Sequence, residues 1–212
     1  MAGILDLLNS DLGKTLISGT SKQFGQDEGK TANALGAALP LILGAMKNNA
    51  STPEGASGLL SALGNNKHSG GILDNLGDVL GGSGVNEDVL QDGAGILGHV
   101  FGGKEQNVAN AVSKSSGIDL ASAMNILKVA GPLVMGALGK ETRQSNVTDQ
   151  NGIGNLLSGM LGGASNEQQS LVSKLLDADG DGSMIDDVAG MLLGGNKSKS
   201  GLGGLLGGLF GK

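Results

Sequence analysis

The sequence predicts an all-α chain: two internally duplicated, glycine/alanine-rich helical repeats in a pseudo-two-fold relation, followed by a C-terminal helical extension. Three observations carry that expectation. Sustained period-two alternation of β-branched residues, the mark of half-buried strands, is nearly absent, while apolar residues recur at steps of three and four. An apolar segment with a proline in its middle, Ala37-Ala38-Leu39-Pro40-Leu41-Ile42-Leu43-Gly44-Ala45-Met46, returns as Val129-Ala130-Gly131-Pro132-Leu133-Val134-Met135-Gly136-Ala137-Leu138. The two copies also keep one register far beyond the prolines. An offset of 92 residues relates Ala2-Gly3-Ile4-Leu5 to Ala94-Gly95-Ile96-Leu97, Ser21-Lys22 to Ser113-Lys114, Gly25 to Gly117, and Asp27 to Asp119. Further on, Leu59-Leu60-Ser61 answers Leu156-Leu157-Ser158 at an offset of 97, so the second copy carries five extra residues, placed in a loop where insertions are tolerated. The chain is therefore expected to divide into repeat 1 at 1–65, bridging helices at 66–93, repeat 2 at 94–163, a helix–acidic loop–helix unit at 164–195, and a Gly/Leu-rich tail at 196–212.

Within repeat 1, Asp11 to about Lys22 reads as a helix with Leu12, Leu16 and Ile17 on one face, stopped by Gly25. A second helix starts near Asp27, where Asp27 and Glu28 suit the positive N-terminal end. From Thr31 to Met46 it has no polar face, which predicts burial all round. Pro40 lacks a backbone donor and its ring crowds the preceding turn. Either the helix kinks there, or one helix ends near Ala38 and the next begins at Pro40. Gly44 and Gly136 are the expected points of close helix contact. Thr52-Pro53-Glu54 combines an N-cap hydroxyl, Pro at the first helical position and an acid in the first turn, which starts a helix over about 53–64. A short amphipathic helix is expected within 70–82 and another from Asp88 to Phe101. In repeat 2, Ser122, Asn125 and Lys128 leave a polar stripe on the first half of the proline helix. Ser165 with Gln168 forms a capping box for a helix near 166–176, and a last helix is expected near 184–193.

Composition narrows the function. The 212 residues include 41 Gly and three Phe but no Trp, Tyr or Cys. Small side chains must therefore fill the core, and each interior Gly costs a helix about 0.5–1 kcal/mol relative to Ala. Such helices depend on tertiary packing or on partners. A formal charge of −6 with only 14 Lys+Arg leaves no basic stripe, and no aromatic platform exists, so nucleic-acid binding is not expected. Without Cys there is no thiolate chemistry and no disulfide. The start, Met1-Ala2-Gly3-Ile4-Leu5-Asp6, lacks a basic region and is not read as a secretory signal. The longest uncharged apolar run, 31–46, falls short of the roughly 20 residues that span a bilayer. The default expectation is a soluble, cytoplasmic protein.

The stretch Asp92-Gly93-Ala94-Gly95-Ile96-Leu97-Gly98-His99-Val100-Phe101-Gly102-Gly103-Lys104, with Ala38-Leu39-Pro40-Leu41, its echo, and the late acidic segment, resembles a bacterial family known as domain of unknown function 937. The resemblance covers residues 1 to about 195 and rests most on Gly-Ala-Gly-Ile-Leu-Gly-His. It implies a helical, glycine-rich bacterial protein and brings no catalytic residues with it.

The sharpest chemical pattern is Asp177-x-Asp179-x-Asp181-Gly182-Ser183, followed by Asp186-Asp187. A calcium loop needs oxygen ligands at alternate positions so that they converge on one ion, a Gly at the sixth and a backbone carbonyl at the seventh. Those positions fit. The twelfth, normally a bidentate Glu, is Val188, so the segment looks like a shortened or dockerin-like loop closed by Asp186 or Asp187. Five carboxylates without a basic neighbour repel one another unless a cation joins them, which favours Ca²⁺ as the cofactor. The plainer reading is a solvated acidic turn that charges the next helix's N-terminus. A filled calcium site would point to export by an unconventional route.

His99, on a glycine-rich helix, is expected to be a buried, hydrogen-bonded or helix-terminal residue rather than a ligand or base; His68, in a polar loop, is expected to be solvated. Nothing resembles a nucleophile–base pair, and Gly81-Gly82-Ser83-Gly84 lacks the lysine and strand of a phosphate loop, so the chain is not expected to be an enzyme. The tail repeats Leu at steps of three and four among glycines, flanked by Lys197, Lys199 and Lys212. It is expected to dock on protein or self-associate rather than lie on lipid, the plainer reading being a frayed, flexible terminus. The leading expectation is a non-catalytic structural or interaction protein forming a homo-oligomer. The alternative is a membrane-active protein of bacteriocin-like or pore type.

Calcium is expected to raise the unfolding midpoint of the chain in a thermal-shift titration, by about 2.7 kcal/mol of added stability at 100-fold excess over Kd. No calcium-dependent change, or one that persists in Asp179→Ala/Asp181→Ala, makes the loop only a turn.

Overall fold

The two proline-bearing segments become the two longest helices, and the shorter ones pack around them. A computed structural model describes residues 3–65, 68, 70–74 and 85–162. Among these the chain is all-helical: α1 (Ile4–Asn9), α2 (Asp11–Phe24), α3 (Glu28–Asn49), α4 (Pro53–Leu63), α5 (Gly71–Asp74), α6 (Glu87–Phe101), α7 (Glu105–Ser116), α8 (Leu120–Gln144) and α9 (Gln150–Leu161). Helix α3 packs against α8; α7 lies on both; α1, α2 and α9 cover α3; α5 and α6 cover α8. Of the expected helix within 70–82, α5 is the described part, and the helices expected at 166–176 and 184–193 lie outside the described residues.

Burial follows the lack of a polar face. In α3, Thr31 and all of 34–46 are buried, and in α8 so are 129–139. Both helices run unbroken through Pro40 and Pro132, so no new helix begins at either proline. An interior proline costs about 3 kcal/mol. Leu39, Leu41, Ile42 and Leu43 around Pro40 are each at most 2% exposed, and burying one such side chain contributes about 1.5–3 kcal/mol. Two of them offset the proline, so packing rather than propensity sets the length of α3. On α2 the buried face is Gly13, Leu16 and Thr20, and Leu12, expected on that face, is instead 44% exposed. The polar stripe on α8 is also partly buried: Ser122 is enclosed, and its hydroxyl accepts a hydrogen bond from Gln26 Nε2 at 3.0 Å.

Helix ends are closed by side chains. Asp27 Oδ1 accepts from Lys30 N at 3.0 Å and Asp119 Oδ1 from Ser122 N at 2.9 Å. The backbone N–H of Ser122, then its hydroxyl, hold the Asp119 carboxyl below the usual carboxylate range. The preceding helices stop at Gly25 (φ 63°) and Gly117 (φ 72°), in left-handed conformations that suit glycine. Ser21 Oγ then donates to the Gln26 carbonyl at 2.7 Å, and Ser113 Oγ to the Ile118 carbonyl at 2.6 Å.

Helix α6 sits closest of all to α8. A Cβ at Gly93 would land on the backbone carbonyl of Lys128, and one at Gly131 would stand 3.4 Å from Ile96 Cγ2. At Gly136 a Cβ would come within 2.6 Å of Ile72 Cγ2, so that glycine admits α5. Two residues beyond Gly93, Gly95 faces open space, with nothing within 4 Å of a Cβ. Gly93→Ala should therefore cost about 1–3 kcal/mol by overpacking, whereas Gly95→Ala should add about 0.5–1 kcal/mol of helix stability. Urea denaturation of both variants checks this; equal midpoints would contradict the close approach.

Candidate functional site

Helices α4 and α6 border a groove of about 860 Å³. Met46 of α3 and Met135 of α8 form its floor, and Leu59 and Ala62 of α4 face Ile96 and Val100 of α6. Gly58 on α4 and Gly95 on α6 line it as well, and a Cβ at either would meet nothing within 4 Å. The lining is thus apolar, with helix backbone exposed on both sides. Polar groups stand at the edges, among them Asn49, His68, Asp92 and His99. Both histidines of the chain therefore reach one groove although 31 residues of sequence separate them.

His68 is not solvated as its polar loop suggests: it is 9% exposed. Its Nδ1 lies 2.9 Å from the Ala62 carbonyl oxygen and its Nε2 lies 3.4 Å from Asp92 Oδ2. The backbone carbonyl of His68 accepts from Arg143 Nη2 at 3.4 Å, and it occupies the space that a Cβ at Gly139 would need. The loop is drawn in because α4 ends with carbonyls that lack helical partners. Arg143 Nη1 reaches one of them, Leu63 O, at 3.3 Å, placing a cation where the helix dipole favours it. Both ring nitrogens of His68 thus face oxygens, and neither offers a lone pair to the groove.

His99 is in the last turn of α6, hydrogen-bonded at 3.0 Å between its Nδ1 and the Gly95 carbonyl, as expected for a helix-terminal histidine. It is exposed rather than buried. Beside it Asn49 Nδ2 donates to Val100 O at 3.1 Å, tying the end of α3 to the end of α6. No sequence signal marks the His68–Asp92 pairing: the residues are 24 apart, one in a polar loop and the other on α6.

The expected calcium ligands Asp177, Asp179, Asp181, Ser183, Asp186 and Asp187 lie outside the described residues. Among the described residues no three His, Asp or Glu side chains are placed to hold a metal. A second hollow of about 770 Å³ lies between α4 and the α8–α9 connection, where Thr142 Oγ1 is buried without a hydrogen-bond partner. Helix α8 is, by length and a mean hydropathy of 1.4, apolar enough to cross a membrane, but 72% of that window is buried inside the fold.

A family model described as "Bacterial protein of unknown function (DUF937)" matches residues 6–141. The match runs from α1 into α8 and stops short of the late acidic segment, so the resemblance covers less of the chain than 1 to about 195. No curated protein and no solved structure matches the chain.

His68→Ala should destabilise the fold by about 1–3 kcal/mol, because it removes a buried donor from the end of α4 and leaves Asp92 without its partner. His99→Ala, on an exposed helix end, should stay within about 0.5 kcal/mol of the parent. Thermal unfolding of the two variants compares them directly; equal effects would remove the holding role given to His68.

Proposed function

The chain belongs to the bacterial family DUF937, and we propose that it is a non-catalytic interaction protein that associates with copies of itself. The observation carrying this reading is the work its polar side chains do. Asp6, Asp27, Asp119 and Asp149 close helix N-termini, Arg143 closes the end of α4, and His68 holds a loop. Among the described residues these groups are engaged in architecture, while the α4–α6 groove is lined in part by methionine, leucine and glycine. A groove whose walls carry half-buried Leu59, Ala62 and Ile96 suits a partner better than a reaction.

The proposal includes the internal duplication. Supporting it are pairs of features at one offset: Ser21 and Ser113 donating into the next loop, Gly25 and Gly117 left-handed, Asp27 and Asp119 capping, and two long helices through proline. At the second offset, Thr52 and Asp149 cap α4 and α9 through the backbone N–H of Gly55 and Gly152. A duplicated unit presents related faces twice, which favours association between copies. Gly154 leaves open ground on the face of α9 where a second backbone could approach. Calcium at 177–187 is a separable part of the proposal and stands on spacing alone. Burial of α8 in the core weighs against the membrane-active alternative.

Sedimentation velocity across a wide protein range, with and without Ca²⁺, should show species larger than the monomer whose share grows with concentration. A monomer that persists at high concentration under both conditions would end the self-association reading.

A further inference from the structure

We propose that the α4–α6 groove is the docking site of the chain's own C-terminal tail, residues 201–212. This does not rest on self-association; it concerns which apolar segment covers the groove within one molecule.

The groove and the tail match in chemistry. The floor is two methionines, whose flexible thioethers adapt to an irregular apolar guest. Its borders are open at Gly58 and Gly95, where the missing side chains let another backbone come close. The tail offers Leu202, Leu205, Leu206, Leu209 and Phe210 at helical steps, with glycine at most positions between them. Small residues on both partners permit close approach, and leucines supply the apolar area that an amphipathic segment lays into such a groove.

Charge agrees. Asp92 lines the groove, and Glu87 and Asp88 stand in the first turn of the same helix. The chain after Asp187 contains no acid, and Lys197, Lys199 and Lys212 flank the leucines. Reach agrees too. The described chain leaves α9, which packs against the groove wall α4. Between Gly162 and the polar stretch 196–200 lie residues 163–195, which span about 110 Å fully extended and about 70 Å with the two helices expected there. A domain of this size has a radius of gyration near 15 Å, so the groove is within range. Tethering gives the tail an effective concentration on the order of millimolar, which favours the chain's own tail over that of a second copy.

The test uses the full chain, which has no cysteine of its own. Gly95→Cys on the groove border is paired with Leu206→Cys in the tail, and disulfide formation under mild oxidation is followed by intact mass and non-reducing gel. The control pair is Gly154→Cys with Leu206→Cys, its first site being an open glycine on α9, away from the groove. The expected result is an intramolecular disulfide forming at least about ten-fold faster in the groove pair than in the control. Adding Gly58→Phe, which fills the groove where no atom stands in the way, should slow it to the control rate; circular dichroism confirms that this variant is helical. Equal rates in the two pairs overturn the proposal. So does a disulfide-linked dimer as the main product, since that assigns the groove to a second copy's tail. If Gly58→Phe fails to fold, Gly58→Leu replaces it, and the comparison of the two cysteine pairs decides without either.

Discussion

The contact between α3 and α8 is the constraint from which the other packing follows. Each helix is buried along most of its length, so neither can exist with a solvent face, and every other described element is placed by the need to cover them. Leu39, Leu43, Ile126, Leu127 and Leu138 are fully buried in this pair. With no tryptophan or tyrosine in the chain, Phe101 is the one aromatic side chain buried in the core among the described residues. The core gains its stability from many medium-sized groups at close range, where each lost methylene counts.

Close range is what glycine supplies. Where α6 crosses α8, Gly93 brings one helix onto the Lys128 carbonyl of the other; where the loop at His68 meets α8, Gly139 admits its carbonyl. Both positions trade helix propensity for backbone proximity. Gly58 and Gly95 pay the same entropic cost and return no internal contact. That difference separates glycines explained by the fold from Gly58, Gly95 and Gly154, where a Cβ would meet nothing within 4 Å; the first two line one groove and the third stands on α9.

Sequence periodicity made the long helices legible because their apolar pattern is continuous and their flanks carry strong signals. Asp27, Asp119 and Thr52 cap where expected, and Gly25 and Gly117 stop helices where expected. The length of α3 was half legible: proline's local cost left a kinked helix and a break both open, and three-dimensional burial accompanies one unbroken helix. Leu12 was misplaced because helical spacing alone cannot fix which edge of an apolar stripe faces inward. The site was nearly invisible. His68 lies in a loop whose composition reads as solvent-exposed, and its three attachments, Ala62, Asp92 and Arg143, come from three different helices.

That distribution of polar groups bears on what the molecule can do. A catalytic centre needs titratable groups held together and left with free valence toward a substrate. Here His68 converges with Asp92, but its ring faces oxygens at both nitrogens, and His99 is bonded back to its own helix. Around the groove, half-buried apolar side chains and two bare glycines stand beside Asn48 and Gln91. Under the proposed reading, such a surface would select a guest by shape and hydrophobicity, which a small-residued, leucine-rich segment satisfies. The described domain and the glycine–leucine segment at the far end of the same chain therefore share one physical logic: close backbone approach made stable by leucine and methionine.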